Sequence, residues 1–227
     1  MMEYFLDCAD EAVIRTALDY YPLDGVTTNP GILSRDLPEG VTLRDGLVSL
    51  RKLTRGYTLF VQTTAATADG IVSDAHKVCE LLGGKLSIKV PTTPEGLKAM
   101  RVLSREGVCI TATAIYTPSQ AILAAKAGAY YVAPYITHID NLSLDGASVA
   151  IDIAKELREH EMETVVLAAS FRTAEQVDKV IRGGVGAVTV TADLLAMLAS
   201  HPGTSQDLAK FDEKWEKRFG KGISELL

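Results

Sequence analysis

Apolar residues along this chain follow two alternating rhythms. Short runs of high β-propensity recur eight times: "EYFLD" (3–7), "GVTTN" (25–29), "YTLFVQ" (57–62), "LSIKV" (86–90), "VCITAT" (108–113), "AYYVAP" (129–134), "TVVLAAS" (164–170) and "GAVTV" (186–190). Between them the apolar positions move to helical spacing. Ile14, Ala17, Leu18 and Tyr21 share one helix face behind Asp10, a good N-cap. Ile71, Ala75, Val78 and Leu82 share a second face, and Ala150, Ile153, Ala154 and Leu157 a third. Asn-Pro, Gly-rich and Pro-Glu-Gly punctuation falls between the elements. Eight strands, each followed by a helix, predict an α/β fold, a single (β/α)8 TIM barrel over residues 1–227 with no linker dividing it. An open doubly wound sheet is the runner-up, but no G-x-G-x-x-G follows the first strand. The last segment, "DLAKFDEKWEKRFGKG", predicts an extra C-terminal helix over 206–220. Leu208, Phe211, Trp215 and Phe219 form an apolar stripe on it, which must be covered by its own barrel or by a neighbouring subunit.

Composition narrows the function classes. A hydrophobic content of 47% suffices for a packed core, and a net charge of −6 without any basic run argues against a nucleic-acid partner. No apolar stretch approaches the ~20 residues of a membrane span, and the N-terminal residues lack the pattern of a secretory signal. A cytoplasmic protein without a membrane partner is expected. The three cysteines are spread too widely for a disulfide framework, and Cys79 and Cys109 read as small core residues. His76, His138, His160 and His201 are scattered, no H-x-x-x-H or C-x-x-C occurs, and no phosphate-binding P-loop is present. No metal site and no cofactor are expected.

The candidate chemistry starts at Lys89. In "LSIKV", Ile88 and Val90 take the face that packs on helices, so Ser87 and Lys89 point into the barrel. Active sites of such barrels lie at the C-terminal strand ends. The same parity brings Asp7, Thr27, Asn29, Gln62, Thr113, Tyr135 and Ser170 to corresponding inward-facing ends. One polar residue there is ordinarily structural, but eight together are hard to explain as packing. A lysine among apolar walls and neutral hydroxyls has its charged form disfavoured, which makes its amine a usable nucleophile. With a carbonyl substrate it forms a Schiff base, an electron sink for breaking a carbon–carbon bond.

"FLDCAD", "GVTTNPGIL", "LSIKVPTTPEGLKA", "TATAIYTPSQAILAAKAGAYYVAPYI" and "VLAASFRT" together resemble the transaldolase family across nearly the whole chain. They are most similar to its short branch, the fructose-6-phosphate aldolases and small transaldolases. The resemblance implies roles by position. Lys89 matches the Schiff-base lysine, and Asp7 an aspartate that handles substrate hydroxyls and proton transfer. Thr27 and Asn29 match residues that hold hydroxyls, and Thr113 a threonine that helps hold the catalytic water. Ser170 and Arg172 match a motif that binds the substrate's terminal anion, a task that suits the guanidinium fork. Transaldolases proper carry a glutamate where this chain has Gln62. Glutamine cannot titrate, so the acid/base role passes to Tyr135, as in the fructose-6-phosphate aldolases. The family usually shows an arginine three residues after "APY", where this chain has His138. That change either weakens the anion site, which suits a singly charged sulfonate such as that of 6-deoxy-6-sulfofructose, or leaves His138 facing solvent. The resemblance also implies a homo-oligomer, a pentamer or decamer, in which the terminal helix reaches a neighbour.

The expected activity is therefore cleavage of a C6-anionic ketose between C3 and C4. A dihydroxyacetone unit stays on Lys89 for release by water (an aldolase) or transfer to an aldehyde such as glyceraldehyde 3-phosphate (a transaldolase). Two other classes stay open at this level. A deoxyribose-phosphate aldolase would share the Schiff base but not "VTTNP" and "SFR", and a non-catalytic sugar-phosphate sensor would not need the set of Lys89, Asp7 and Tyr135.

Overall fold

The computed structural model describes residues 2–227. Eight parallel strands close into a barrel in sequence order. They are β1 (Glu3–Asp7), β2 (Gly25–Thr27), β3 (Thr58–Gln62), β4 (Leu86–Pro91), β5 (Ile110–Ile115), β6 (Tyr131–Pro134), β7 (Val165–Ala168) and β8 (Ala187–Val190). The helices are α1 (Glu11–Tyr20), α2 (Pro30–Asp36), α3 (Leu43–Leu53), α4 (Ala68–Leu82), α5 (Pro94–Arg105), α6 (Pro118–Lys126), α7 (Ile136–Asp140), α8 (Gly146–Glu159), α9 (Ala174–Arg182), α10 (Ala192–Leu198), α11 (Pro202–Phe219) and α12 (Ile223–Leu226). Each expected strand is present, and every strand is followed by at least one helix. Among the described residues no helix is long and apolar enough to cross a membrane.

Two apolar layers follow from the period-two pattern. Residues on the outer strand faces, among them Leu6, Val26, Val61, Ile88, Val90, Val132 and Val188, pack against the helices in one continuous core. The inner faces at the N-terminal end of the barrel form a second cluster of Phe5, Phe60, Tyr131, Leu167 and Ala187. Phe5 and Phe60 meet edge to face at 4.9 Å, and Tyr131 packs on both. This plug closes the barrel floor, where the Tyr131 hydroxyl donates to the Glu3 carboxylate at 2.9 Å. The open end of the barrel is therefore the other one, at the C-terminal strand ends.

Strand ends depart from the expected limits for local reasons. β2 stops at Thr27 because Asn29 caps α2, accepting from the Ile32 N–H at 2.9 Å, and Pro30 takes the first helical position. β5 runs to Ile115 through a register shift between Ala112 and Ile115, with Ala114 at φ 57°. β7 ends at Ala168, so Ser170 is not a strand residue; it sits in the following loop at φ 62°. In the string after Lys89, Gly96 is required for close packing. A Cβ there would lie 1.9 Å from the Pro91 carbonyl oxygen, so only glycine lets α5 fold back onto the end of β4.

The C-terminal helix lies beyond the barrel. The expected 206–220 segment is part of the longer α11, which buries none of its residues in the single chain. Leu208, Phe211, Trp215 and Phe219 are all exposed.

Candidate active site

Lys89 is 5% exposed inside the mouth of the barrel. Its Nζ donates to the backbone carbonyl of Thr28 at 2.8 Å. The carbonyl holds the amine in place but brings no negative charge to offset its burial. Burial pushes the Lys89 pKa down from 10.5, and the carboxylate of Asp7 partly opposes that fall. Asp7 is displaced in the opposite sense. Burial raises its carboxyl above the usual range, although the Lys89 charge and a hydrogen bond from Thr27 both favour the carboxylate. Both members of the pair are thus pushed toward their neutral forms, the state in which the lysine can attack a carbonyl and the acid can give up a proton.

Asp7 ends a short chain of hydroxyls. Thr27 Oγ1 lies 2.6 Å from Asp7 Oδ1 and 2.6 Å from Thr189 Oγ1. When Asp7 is ionised, Thr27 spends its one proton on the carboxylate and Thr189 donates to Thr27; when Asp7 is neutral, either hydroxyl can be the donor. Thr189 was not expected at the site, although "GAVTV" carries it on the same parity as the other inward residues. Thr28 could not be read from sequence at all, because its contribution is a backbone carbonyl.

Across the mouth, the Tyr135 hydroxyl and Thr113 Oγ1 are 2.7 Å apart. Burial pushes the Tyr135 phenol up from 10, helped by the Asp7 charge and opposed by the Thr113 hydrogen bond, so it holds its proton at neutral pH. The backbone irregularity that follows Thr113 in β5 is of the kind that re-aims side chains beside active sites. Gln62 sits beside Lys89 in the sheet register, and its Oε1 is buried without a partner. A buried orphan acceptor in a cleft is a ready partner for a substrate hydroxyl.

The remaining expected residues form the rim. Asn29 lies at the end of the segment after β2, its Oδ1 engaged in capping α2. Ser170 is half-buried, and its carbonyl accepts from the Thr137 N–H at 2.8 Å. Arg172 is exposed, and its guanidinium makes no ion pair among the described residues. His138 is exposed on α7 yet close to the acid/base candidate, its ring edge-on to Tyr135 at 5.2 Å. Its Nδ1 faces the hydroxyl of Tyr116 at 3.4 Å. Tyr116, directly after β5, is a rim residue that strand parity did not single out.

The family pattern described as transaldolase/fructose-6-phosphate aldolase matches residues 4–225. The chain belongs to that family. Its fold is also similar to more distant barrels. A solved thiamine phosphate pyrophosphorylase from Pyrococcus furiosus superposes with a TM-score of 0.58 at 16% identity, over 84% of this chain and 85% of that one. At that identity the likeness concerns the fold alone. Membership in the transaldolase/fructose-6-phosphate aldolase family makes this an aldolase-type protein whose fitting ligands are small sugars.

Proposed function

We propose that this family member is a cofactor-independent class I enzyme that cleaves a C6-anionic ketose between C3 and C4 through a Schiff base on Lys89. The observation that carries the reading is a buried lysine with a depressed pKa, held by a neutral carbonyl near the half-buried Asp7. In this scheme the Lys89 amine attacks the C2 carbonyl. Asp7 assists the proton transfers that expel water and leave an iminium. The C4 hydroxyl then gives up its proton, its oxygen becomes an aldehyde carbonyl, and the C3–C4 electron pair moves toward the iminium nitrogen as an enamine. Tyr135, hydrogen-bonded to Thr113, relays that proton and returns it to C3 when the enamine is quenched. Thr27, Asn29 and Gln62 hold the ketose hydroxyls, and Ser170 and Arg172 hold the terminal anion. Protonation of the enamine at C3 and hydrolysis of the iminium by water give an aldolase; attack of the enamine carbon on an acceptor aldehyde, whose oxygen takes up the proton, followed by hydrolysis, gives a transaldolase.

A second reading concerns the terminal anion. His138 is exposed, but its ring stands edge-on to Tyr135, and in this reading a histidine in place of an arginine alters the charge that the substrate's far end meets. This favours a singly charged sulfonate, as in 6-deoxy-6-sulfofructose, with 3-sulfolactaldehyde as product. The deciding experiment offers fructose 6-phosphate, sedoheptulose 7-phosphate and 6-deoxy-6-sulfofructose, each with and without glyceraldehyde 3-phosphate, under borohydride. A reduced adduct on Lys89 with at least one ketose is expected. Turnover with no adduct on Lys89 removes the mechanism, and no turnover or adduct with any of them returns the chain to the class of sugar-binding sensors.

A further inference from the structure

The loop that presents Ser170 and Arg172 is held by more than its own helix. Ser170 lies in the left-handed region at φ 62°, a conformation that a non-glycine residue keeps only under constraint. Two backbone bonds tie this stretch to α7: Ile136 N–H to the Ala169 carbonyl at 2.9 Å and Thr137 N–H to the Ser170 carbonyl at 2.8 Å. The third tie is made by Gln176, on the first turn of α9. Its Oε1 accepts from the Arg172 N–H at 2.8 Å and from the Thr173 N–H at 3.1 Å. The bond to Thr173 is ordinary helix capping, since Thr173 and Gln176 form a capping box. The rest of the amide does something a cap does not need. Its Nε2 crosses to α7 and donates to Asp140 Oδ2 at 2.7 Å, while Asp140 Oδ1 accepts from the Gly146 N–H at 2.7 Å. A carboxylate can only accept, so Asp140 obliges Gln176 to turn its NH2 toward α7 and its oxygen toward Arg172.

We infer that Asp140 and Gln176 are positioning residues that lock the Arg172 loop to α7, fixing the anion grip relative to Tyr135. This rests on the proposed role of Arg172 and adds to it a link between the two ends of the substrate. α7 follows Tyr135 directly, so a loop bonded to α7 keeps a fixed distance between the group at the substrate's terminal anion and the group at its C4 hydroxyl. Neither residue touches substrate.

The test exploits the polarity of the bond. Gln176→Glu keeps the capping box, because glutamate accepts from the same two N–H groups, but sets two carboxylates against each other at the Asp140 contact. The reciprocal pair Asp140→Asn with Gln176→Glu restores the contact with its direction reversed. In that double variant the introduced amide donates to the introduced carboxylate, and the amide oxygen still accepts from the Gly146 N–H. Kinetics are measured on whichever anionic ketose the wild type cleaves fastest. Losing a charge-assisted bond to an anion costs roughly ten- to a hundredfold, so a displaced grip should raise KM by roughly three- to tenfold in Gln176→Glu. Most of the loss should fall in KM rather than kcat, and the double variant should recover it. If Arg172→Ala raises KM but Gln176→Glu does not, the positioning role is overturned while the anion grip stands. If Arg172→Ala leaves KM unchanged, the anion grip itself fails and takes the inference with it. Should Gln176→Glu not fold, Asp140→Ala applies the same measurement from the α7 side, and an unchanged KM there overturns the proposal.

Discussion

At the scale of the residue, the site is governed by burial acting on opposite charges. Burial weakens the ordinary preference of Lys89 and of Asp7 for the ionised form, and the charge of each partly restores the other's. This gives a signed expectation. Borohydride trapping on Lys89 should rise with pH through a midpoint below the 10.5 of an ordinary lysine. Asp7→Asn removes the charge that held the ammonium, so the midpoint should fall further, even as proton transfer slows. A midpoint that rises in Asp7→Asn contradicts the pairing. Tyr135 is held protonated by the same burial. Tyr135→Phe should lower kcat by roughly 10²–10⁴, the usual range for a general acid–base group. Gln62→Ala should be milder, because its amide does not titrate. Near-wild-type turnover by Tyr135→Phe would move the role to another group.

At the scale of the element, glycine and proline decide how each strand end meets the next helix. Gly96 is the sharpest case: no side chain fits between α5 and the Pro91 carbonyl. Gly96→Ala should destabilise the protein by about 1–3 kcal/mol or more, the usual cost of overpacking. It should also slow Schiff-base formation, because the displaced strand end is the one that carries Lys89. Chemical denaturation together with trapping rates checks both, and an unchanged midpoint would show that α5 does not pack this closely. Helix positions were legible from periodicity. α1 buries Ile14 and Ala17 behind its Asp10 cap, and α8 buries Ala150, Ile153, Ala154 and Leu157. The ends of β2 and β7 were less legible. Alternation continues past the last ladder bond in "GVTTN" and "TVVLAAS", and the Asn29 cap and the left-handed Ser170 interrupt it only in three dimensions.

At the scale of the whole molecule, the barrel is internally complete and α11 is not. An 18-residue helix, about 27 Å long, with Leu208, Phe211, Trp215 and Phe219 all exposed, has an apolar stripe that wants a partner surface. We propose that it is covered by a neighbouring copy in a homo-oligomer. Trp215 is the only tryptophan, so its fluorescence reports this directly. Full-length protein should run as an oligomer in light scattering with blue-shifted emission that moves red on dilution. Removing 206–227 should reduce the assembly and promote aggregation. A monomer with unchanging emission contradicts the proposal. The sequence by itself determined the eight-stranded barrel and the inward direction of Lys89, Asp7, Gln62 and Thr113. Period-two burial is a local property, and a closed barrel turns one parity into one interior. The same parity, followed into the last strand, points Thr189 inward as well. Only the tertiary structure decided which groups face one another. It supplied the Thr28 carbonyl under Lys89, the Thr189–Thr27–Asp7 chain, the place of His138 against Tyr135, and the bond from Gln176 to Asp140. Those contacts join residues distant in sequence through backbone atoms and loop geometry, which no local pattern of apolar and polar positions encodes.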